Sequence, residues 1–580
     1  MASDKLIIYQ LLPRLFGNTN TTNHVWGTLA ENGSGTFTDV NDAALTGIKT
    51  LGTTHVWLTG VPEHATMTDY SAADITPNDP AVVKGRAGSP YAIRDYYDVV
   101  PDFAQSVPDR IAEFEALVAR IHAHGLKVIT DIVPNHVARQ YASDAKPTNI
   151  ADLGEHDDDR IPFSTQNNFY YLPGTTFVPP FVPGSSDAHT LLTNSAPPIH
   201  EAPARVTGSG SITEAPAIDD WYETIKLNYG YNVFDGSLHI SDGEPSDRPN
   251  TWQRLLEIML FWAEKGVDGF RCDMAHLVPV AFWQWATARV RATYPDQIFI
   301  AEIYDPGLYR SFIFKGGFDY LYDKVGLYDA LRRLTEGHGS CYDLTRVWQN
   351  ESGDFSEHML RFLETHDEQR IASSFFATDP RRAMPAMVVT ATMHTGPYLI
   401  YFGQEVGVKG EDAEGFSGHD GRTTIFDYWG LIDWQGYVNG HRYDGAGLTP
   451  EQHELRAFYE QLGTFVSQSE AIREGAFYDL QWANQPTPGY SQHLTYSYLR
   501  YTDTHKLLIV CNFDPANSLY TTLRIPDHAF ESMGLPAERT YQLTSQLGEN
   551  EQTAGVGNEG FSLCLPALSA RIFLLSESLT

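Results

Sequence analysis

Short apolar runs alternate along this chain with segments whose apolar residues recur at helical spacing. The runs are Leu6 to Leu11, His55 to Leu58, Leu126 to Asp131, Val267 to Asp273, Ile298 to Glu302, Phe318 to Tyr322, Met359 to Leu363 and Tyr398 to Phe402. Strands alternating with helices predict a parallel sheet covered by helices. Eight such units predict closure into an α/β fold, a (β/α)8 TIM barrel. Ile111 to His124 is the clearest intervening helix, ending at Gly125, and Thr251 to Glu264, bounded by Gly266, is another. Thr449-Pro450-Glu451-Gln452 predicts a helix start, with Thr as N-cap, Pro at the first helical position and Gln two residues later, and the helix runs to about Ser467.

The pattern breaks twice. About 138 positions separate Asp131 from Gly269, where a crossover between parallel strands needs only a dozen or so. The segment is rich in Pro, Gly, Ser and Thr, with Pro179-Pro180, Pro197-Pro198 and Gly208-Ser209-Gly210 marking irregular structure. Its aromatic residues Phe169, Tyr170, Tyr171, Trp221 and Tyr222 argue for folding rather than disorder. We expect a loop-rich inserted subdomain over 137–247, between barrel parts at 1–136 and 248–473. Beyond 474 the runs Thr495 to Arg500, Leu507 to Asn512 and Ala570 to Leu575, with a turn at Thr504-His505, predict an antiparallel β-sandwich over 474–580.

Charge narrows the partners. The 580 residues carry a formal net charge of −33. Nucleic acid and anionic membrane need a basic surface and are excluded as expected partners, whereas a neutral substrate meets no repulsion. The acidity serves solubility, and adaptation to salt is a second reading. Cys272, Cys341, Cys511 and Cys564 are far apart, which predicts neither a disulfide framework nor a zinc site. No run approaches a membrane span, and the first residues hold no apolar stretch of signal-peptide length. The sequence reads as soluble and cytoplasmic as given, or periplasmic or secreted if a signal peptide has been removed. It leaves the oligomeric state open.

Three of the strand-like segments lead to acids: Asp273, Glu302 and Asp367. Active sites of parallel barrels lie at the strands' C-terminal ends, and acids there are candidates for glycosidic-bond chemistry, which uses a carboxylate pair. Arg271 stands two residues before Asp273, on the same strand face, where its charge would favour an ionised carboxylate. Cys272 between them should point away, into the packing behind the strand.

Four ordered motifs carry a resemblance. Asp131-Ile132-Val133-Pro134-Asn135-His136, Gly269-Phe270-Arg271-Cys272-Asp273, Glu302 after an apolar strand, and His366-Asp367 resemble the four motifs of the α-amylase family, glycoside hydrolase family 13. The resemblance spans barrel, insert and sandwich. It implies Asp273 as nucleophile, Glu302 as general acid/base and Asp367 as transition-state stabiliser. It also implies that His136 and His366 bind the cleaved sugar and that Tyr91 stacks on it, with Tyr96 and Tyr97 as rival platforms. The family's Lys-His pair after the nucleophile is replaced by His276 and Leu277, so leaving-side binding falls to His276.

The resemblance implies an endo-acting or short-chain hydrolase of α-1,4-glucosidic bonds in starch, glycogen or maltooligosaccharides, working by double displacement. The alternatives on the same site are an α-glucosidase, a glucosyltransferase or isomerase, and a non-catalytic carbohydrate-binding protein. No cofactor is required for acid/base and nucleophile chemistry. Calcium is left open. Asn135 is present as a ligand, but Lys226, in Thr224-Ile225-Lys226-Leu227-Asn228, stands where the family often has an Asp. An ammonium cannot ligate a hard cation, so the reading leans against that site, with the lysine in the cation's place.

Overall fold

The computed structural model describes residues 5–180, 198–240, 249–548 and 551–578. Pro197 and the expected insert boundary at 247 lie outside the described residues. Eight parallel strands form the central sheet: β1 (Ile7–Leu11), β2 (His55–Leu58), β3 (Lys127–Ile132), β4 (Gly269–Cys272), β5 (Ile298–Ala301), β6 (Tyr320–Tyr322), β7 (Met359–Leu360) and β8 (Tyr398–Tyr401). Their order is β7-β6-β5-β4-β3-β2-β1-β8, and a parallel bridge between Arg361 and Tyr398 closes the ring. The predicted (β/α)8 barrel is therefore the observed fold, and all eight predicted strands are present.

Differences fall at strand ends. β7 stops at Leu360 rather than Leu363, because the backbone of Arg361 turns to its other neighbour. Its N–H donates to Pro397 O at 3.1 Å, and its carbonyl accepts from Leu399 N at 2.8 Å. β6 begins at Tyr320 rather than Phe318, since the Phe318 N–H is spent on Phe312 O.

Helices cover the strands through apolar faces at the predicted spacing. In Arg110–Ala123 the buried residues are Phe114, Leu117, Val118 and Ile121, one stripe of an amphipathic helix. Asn250–Glu264 buries Trp252, Leu255, Met259 and Trp262 among others. Helix Pro450–Gln468 starts with the capping box expected from its sequence, Thr449 and Gln452 satisfying each other's backbone N–H groups. Along β4, Phe270 and Cys272 are fully buried. Phe270 meets Phe299 of β5 at 5.8 Å between ring centroids, and burial of each such ring contributes about 1.5 to 3 kcal/mol. Arg271, on the alternate face, points into the barrel.

Between β3 and β4 the chain forms short ladders. His136–Ala138 pairs antiparallel with Thr224–Lys226, and Tyr171–Leu172 with Ala204–Arg205. The first ladder sets His136 opposite Lys226 at the barrel mouth.

The C-terminal strands are β9 (Ala476–Asp479), β10 (Thr495–Tyr501), β11 (Lys506–Asn512), β12 (Leu519–Leu523), β13 (Thr540–Ser545), β14 (Gln552–Val556), β15 (Phe561–Leu565) and β16 (Ser569–Glu577). A six-stranded antiparallel sheet, β9-β10-β11-β16-β13-β14, faces a two-stranded antiparallel sheet, β12-β15. Leu508, Val510 and Phe573 of the large sheet share one core with Leu519, Leu523, Phe561 and Leu563 of the small one. This is the predicted sandwich, and its β10–β11 turn is closed by Thr502 N donating to His505 O. No described helix is long and apolar enough to cross a membrane.

Candidate active site

The barrel interior just below the mouth is polar and organised around one side chain. Arg271 is fully buried. Its Nη1 lies 2.9 Å from Asp273 Oδ1 and 3.3 Å from Asp131 Oδ1, and its Nη2 lies 2.9 Å from Glu302 Oε2 and 3.9 Å from Asp367 Oδ2. Nε donates to the Tyr322 hydroxyl at 3.2 Å. The planar fork of a guanidinium is suited to such multiple contacts. Strand register explains the meeting, for Arg271 of β4 sits directly opposite Asp131 of β3, while Asp273 and Glu302 follow the last residues of β4 and β5.

The backbone after Asp273 contributes too. Met274 adopts a left-handed φ of 42°, a costly conformation for a residue with a side chain. It lets Met274 N donate to Glu302 Oε2 at 2.8 Å, while the Tyr304 hydroxyl donates to Glu302 Oε1 at 2.6 Å. Glu302 is thus held from both oxygens.

Burial and the neighbouring Glu302 carboxylate push Asp273 well above the ordinary carboxylate range, and Arg271 opposes them. Arg271 acts on Asp273 in the expected direction, favouring its ionised form against burial and Glu302. The contact is present, but the single positive charge is divided among Asp131, Asp273, Glu302 and Asp367. Asp367 differs. Some desolvation pushes it upward, but His366 at 2.9 Å, with Arg271 and Arg422, outweighs this and brings the carboxyl down to about 2. Its side chain is 40% exposed, against 8% for Asp273 and 5% for Glu302, so water also favours its charge.

A cavity of about 170 Å³ opens above these groups, lined by Tyr91, His136, Asp273, Glu302 and Asp367. Tyr91 is stacked on His366, with ring centroids 5.3 Å apart, and its hydroxyl meets His366 Nε2 at 2.5 Å. Its rivals are spent elsewhere: Tyr96 donates to Val133 O, and Tyr97 packs edge-on to Phe261. Burial, with Lys226 and Lys84 nearby, lowers His136 to about 3 and keeps it neutral. Arg271 and His366 stand one layer behind the lining, and His366 Nδ1 is engaged by the Gln10 amide at 2.7 Å. His276 is also off the lining and sits edge-on to Tyr304 at 6.2 Å.

Several contributors were not singled out in the sequence. Asp131 accepts from Trp57 Nε1 at 3.0 Å and from Gly60 N at 3.3 Å. That makes Asp131 the anchor that orients Arg271. Lys84, Trp221, Glu223, Met274 and Phe426 complete the cavity wall. For Asp131 a signal existed, since it opens the first motif and sits on the face of β3 that meets β4. The others come from irregular loops without periodicity.

Lys226 Nζ donates to Asn135 Oδ1, and Asn135 Nδ2 donates to Gly208 O at 2.8 Å. Burial lowers the lysine to about 8, so its ammonium is retained at neutral pH. Among the described residues one other group of acids, Glu63, Asp95 and Asp98, lies close enough to share a cation. Arg94 and Arg110 already pair with Glu63 and Asp98.

Comparison with known proteins agrees with this geometry. The model of the α-amylase catalytic domain matches residues 10–175. An α-1,4-glucan:maltose-1-phosphate maltosyltransferase of Rhodospirillum rubrum is 31% identical over 133 residues, 23% of this chain and 16% of that protein. A cyclomaltodextrinase of a Bacillus species is 22% identical over 533 residues, 88% of this chain and 73% of that one. The matches to the maltosyltransferases of Rhodospirillum rubrum, Chlorobaculum tepidum and Cereibacter sphaeroides span 16 to 25% of their lengths. Among solved structures, an α-amylase from Geobacillus thermoleovorans superposes with a TM-score of 0.62 at 20% identity, covering 99% of both chains. A maltogenic α-amylase from Thermotoga neapolitana gives 0.62 at 18% identity, again over 99% of both. A closed (β/α)8 barrel with acids gathered at its mouth and a β-sandwich behind it defines the class of α-amylase-like barrels. Over residues 10–175 the chain is similar to the α-amylase catalytic domain, and along its whole length it shares the fold of the solved α-amylases.

Proposed function

We propose that the protein is a retaining glycosidase acting on α-1,4-glucosidic bonds of starch-like glucans and maltooligosaccharides. The observation that carries this reading is the Arg271 guanidinium bridging Asp273 and Glu302 at 2.9 Å each. Double displacement needs two carboxyls set closely, about 5 to 5.5 Å apart, one charged and one protonated. Asp273 acts as nucleophile and forms the glycosyl ester. Glu302 gives its proton to the leaving oxygen, then takes one from water when the ester is opened. Asp367, held ionised beside His366, faces the positive charge that develops on the sugar. Tyr91 offers an apolar face to the ring, and neutral His136 can donate to or accept from a hydroxyl.

Transfer to a sugar hydroxyl is the second outcome of the same intermediate, and the maltosyltransferase likeness favours keeping it in view. No metal step enters, and we assign the place of the family's calcium to the Lys226 ammonium. The test is proton NMR of the first product released from maltooligosaccharides. An α-anomer is expected, and a β-anomer would overturn the double-displacement assignment.

A further inference from the structure

One side of the cavity is walled by three loops tied to each other. The loop after β2 is fastened to the loop after β8: Ala87 N and Gly88 N both donate to Phe426 O, at 2.9 and 3.1 Å, and Arg86 N donates to Asp427 Oδ1 at 2.9 Å. Gly85 has a φ of 66°, and a Cβ there would meet Phe426 O at 2.3 Å, so the two backbones touch. From this loop Lys84 Nζ reaches to Glu223 Oε1, in the segment after β3, at 2.8 Å. Their side chains are only 11% and 4% exposed, and both line the cavity.

The position of this wall gives it a direction. In the ring of strands, β8, β2 and β3 lie around β1, which stands across the barrel from β5, the strand that delivers Glu302. A general acid faces the departing sugar. The wall opposite it therefore faces the other end of the substrate, the non-reducing end.

Glu223 also has capacity to spare. Its Oε2 is buried and has no hydrogen-bond partner. An unsatisfied buried acceptor is costly, and one on a substrate cavity is an acceptor for a substrate hydroxyl. In an α-1,4-linked chain the 4-hydroxyl of a glucosyl residue is free only when no further sugar is attached there.

Resting on the glycosidase reading above, we infer that the Lys84–Glu223 pair closes the non-reducing end of the site, so that the enzyme removes single glucosyl units from chain ends. Glu223 accepts a hydroxyl of the terminal unit. Lys84 is a positioning residue, which fixes Glu223 by its charge and ties the loops together.

The test is the first-product pattern from maltopentaose labelled at its reducing end. Unlabelled glucose with labelled maltotetraose is expected as the sole early pair. Early labelled maltose or maltotriose would overturn the closure and leave the glycosidase reading standing. Failure to cleave either this substrate or p-nitrophenyl α-glucoside would sink both. Glu223→Gln should raise KM for maltooligosaccharides about tenfold with a smaller change in kcat, since it weakens a ground-state contact. Lys84→Ala with Glu223→Ala should open the wall and yield intermediate labelled products. A double variant with wild-type circular dichroism and an unchanged product ladder would refute the assignment.

Discussion

Met274 N donates to Glu302 Oε2 at 2.8 Å, which ties the acid at the end of β5 to the residue just past the acid at the end of β4. The left-handed turn at Met274 makes the contact, and Arg271 approaches the same oxygen from below at 2.9 Å. The two acids are therefore fixed by backbone and by a buried charge rather than by flexible surface contacts. Preorganised contacts of this kind cost no rearrangement during reaction.

Asp273→Asn and Glu302→Gln each keep the size of the side chain and remove its acid/base or nucleophilic capacity. Each is expected to lower kcat by several orders of magnitude on maltooligosaccharides while circular dichroism stays that of the parent. Turnover within tenfold of the parent in either variant would remove that residue from its role.

The barrel was legible in the sequence because buried parallel strands print continuous apolar runs, and those runs end at the acids. Arg271 was legible from strand alternation beside Asp273. The cavity wall was not. Lys84, Trp221, Glu223 and Phe426 sit in loops whose course is set by contacts between distant segments, such as Gly88 N with Phe426 O. No local period encodes such contacts. The electrostatic balance at Asp273 was also hidden, because it depends on how many acids share Arg271.

Thr449 tests the local rules. Its side chain accepts from Gln452 N, and its own N–H donates to Gln452 Oε1. Thr449→Ala should lower stability by about 1 kcal/mol, read as a shift in the denaturant midpoint with unchanged kcat. No measurable shift would show that the cap contributes nothing beyond what water supplies.

The pH profile follows from the opposite shifts of two acids. Asp273 is raised by burial and by Glu302, so the stability linked to its proton is present at low pH and is lost as pH rises through its folded value. A general acid must keep its proton to serve the leaving oxygen. Asp367, brought down to about 2, contributes stability above the ordinary Asp value of about 3.9, and this is lost only as pH falls through about 2. Accordingly kcat/KM should fall on the alkaline side, with no acid limb from Asp367 in the mildly acidic range. A profile that stays flat up to the alkaline unfolding limit would contradict general-acid catalysis at this site.

Lys226 makes a statement about metal. With its ammonium on Asn135 Oδ1, EDTA should change neither the melting temperature nor kcat through this position. Lys226→Met removes the donor and leaves a buried amide oxygen unpaired, which should cost about 1 to 3 kcal/mol. A calcium-dependent rise in melting temperature that disappears in Asn135→Ala would overturn this placement.

Arg271 gives the sharpest separation of charge from shape. Arg271→Met leaves Asp131, Asp273 and Glu302 buried without their counter-charge, and breaking a buried pair in this way costs about 3 to 5 kcal/mol. Arg271→Lys returns the charge but not the fork. One ammonium cannot hold Asp273 and Glu302 on separate nitrogens as Nη1 and Nη2 do at 2.9 Å each. The lysine variant should therefore regain part of the lost stability in chemical denaturation, while kcat stays at least a hundredfold below the parent. Near-normal kcat in Arg271→Lys would show that a point charge suffices, and that the bridging geometry is incidental to the chemistry at the barrel mouth.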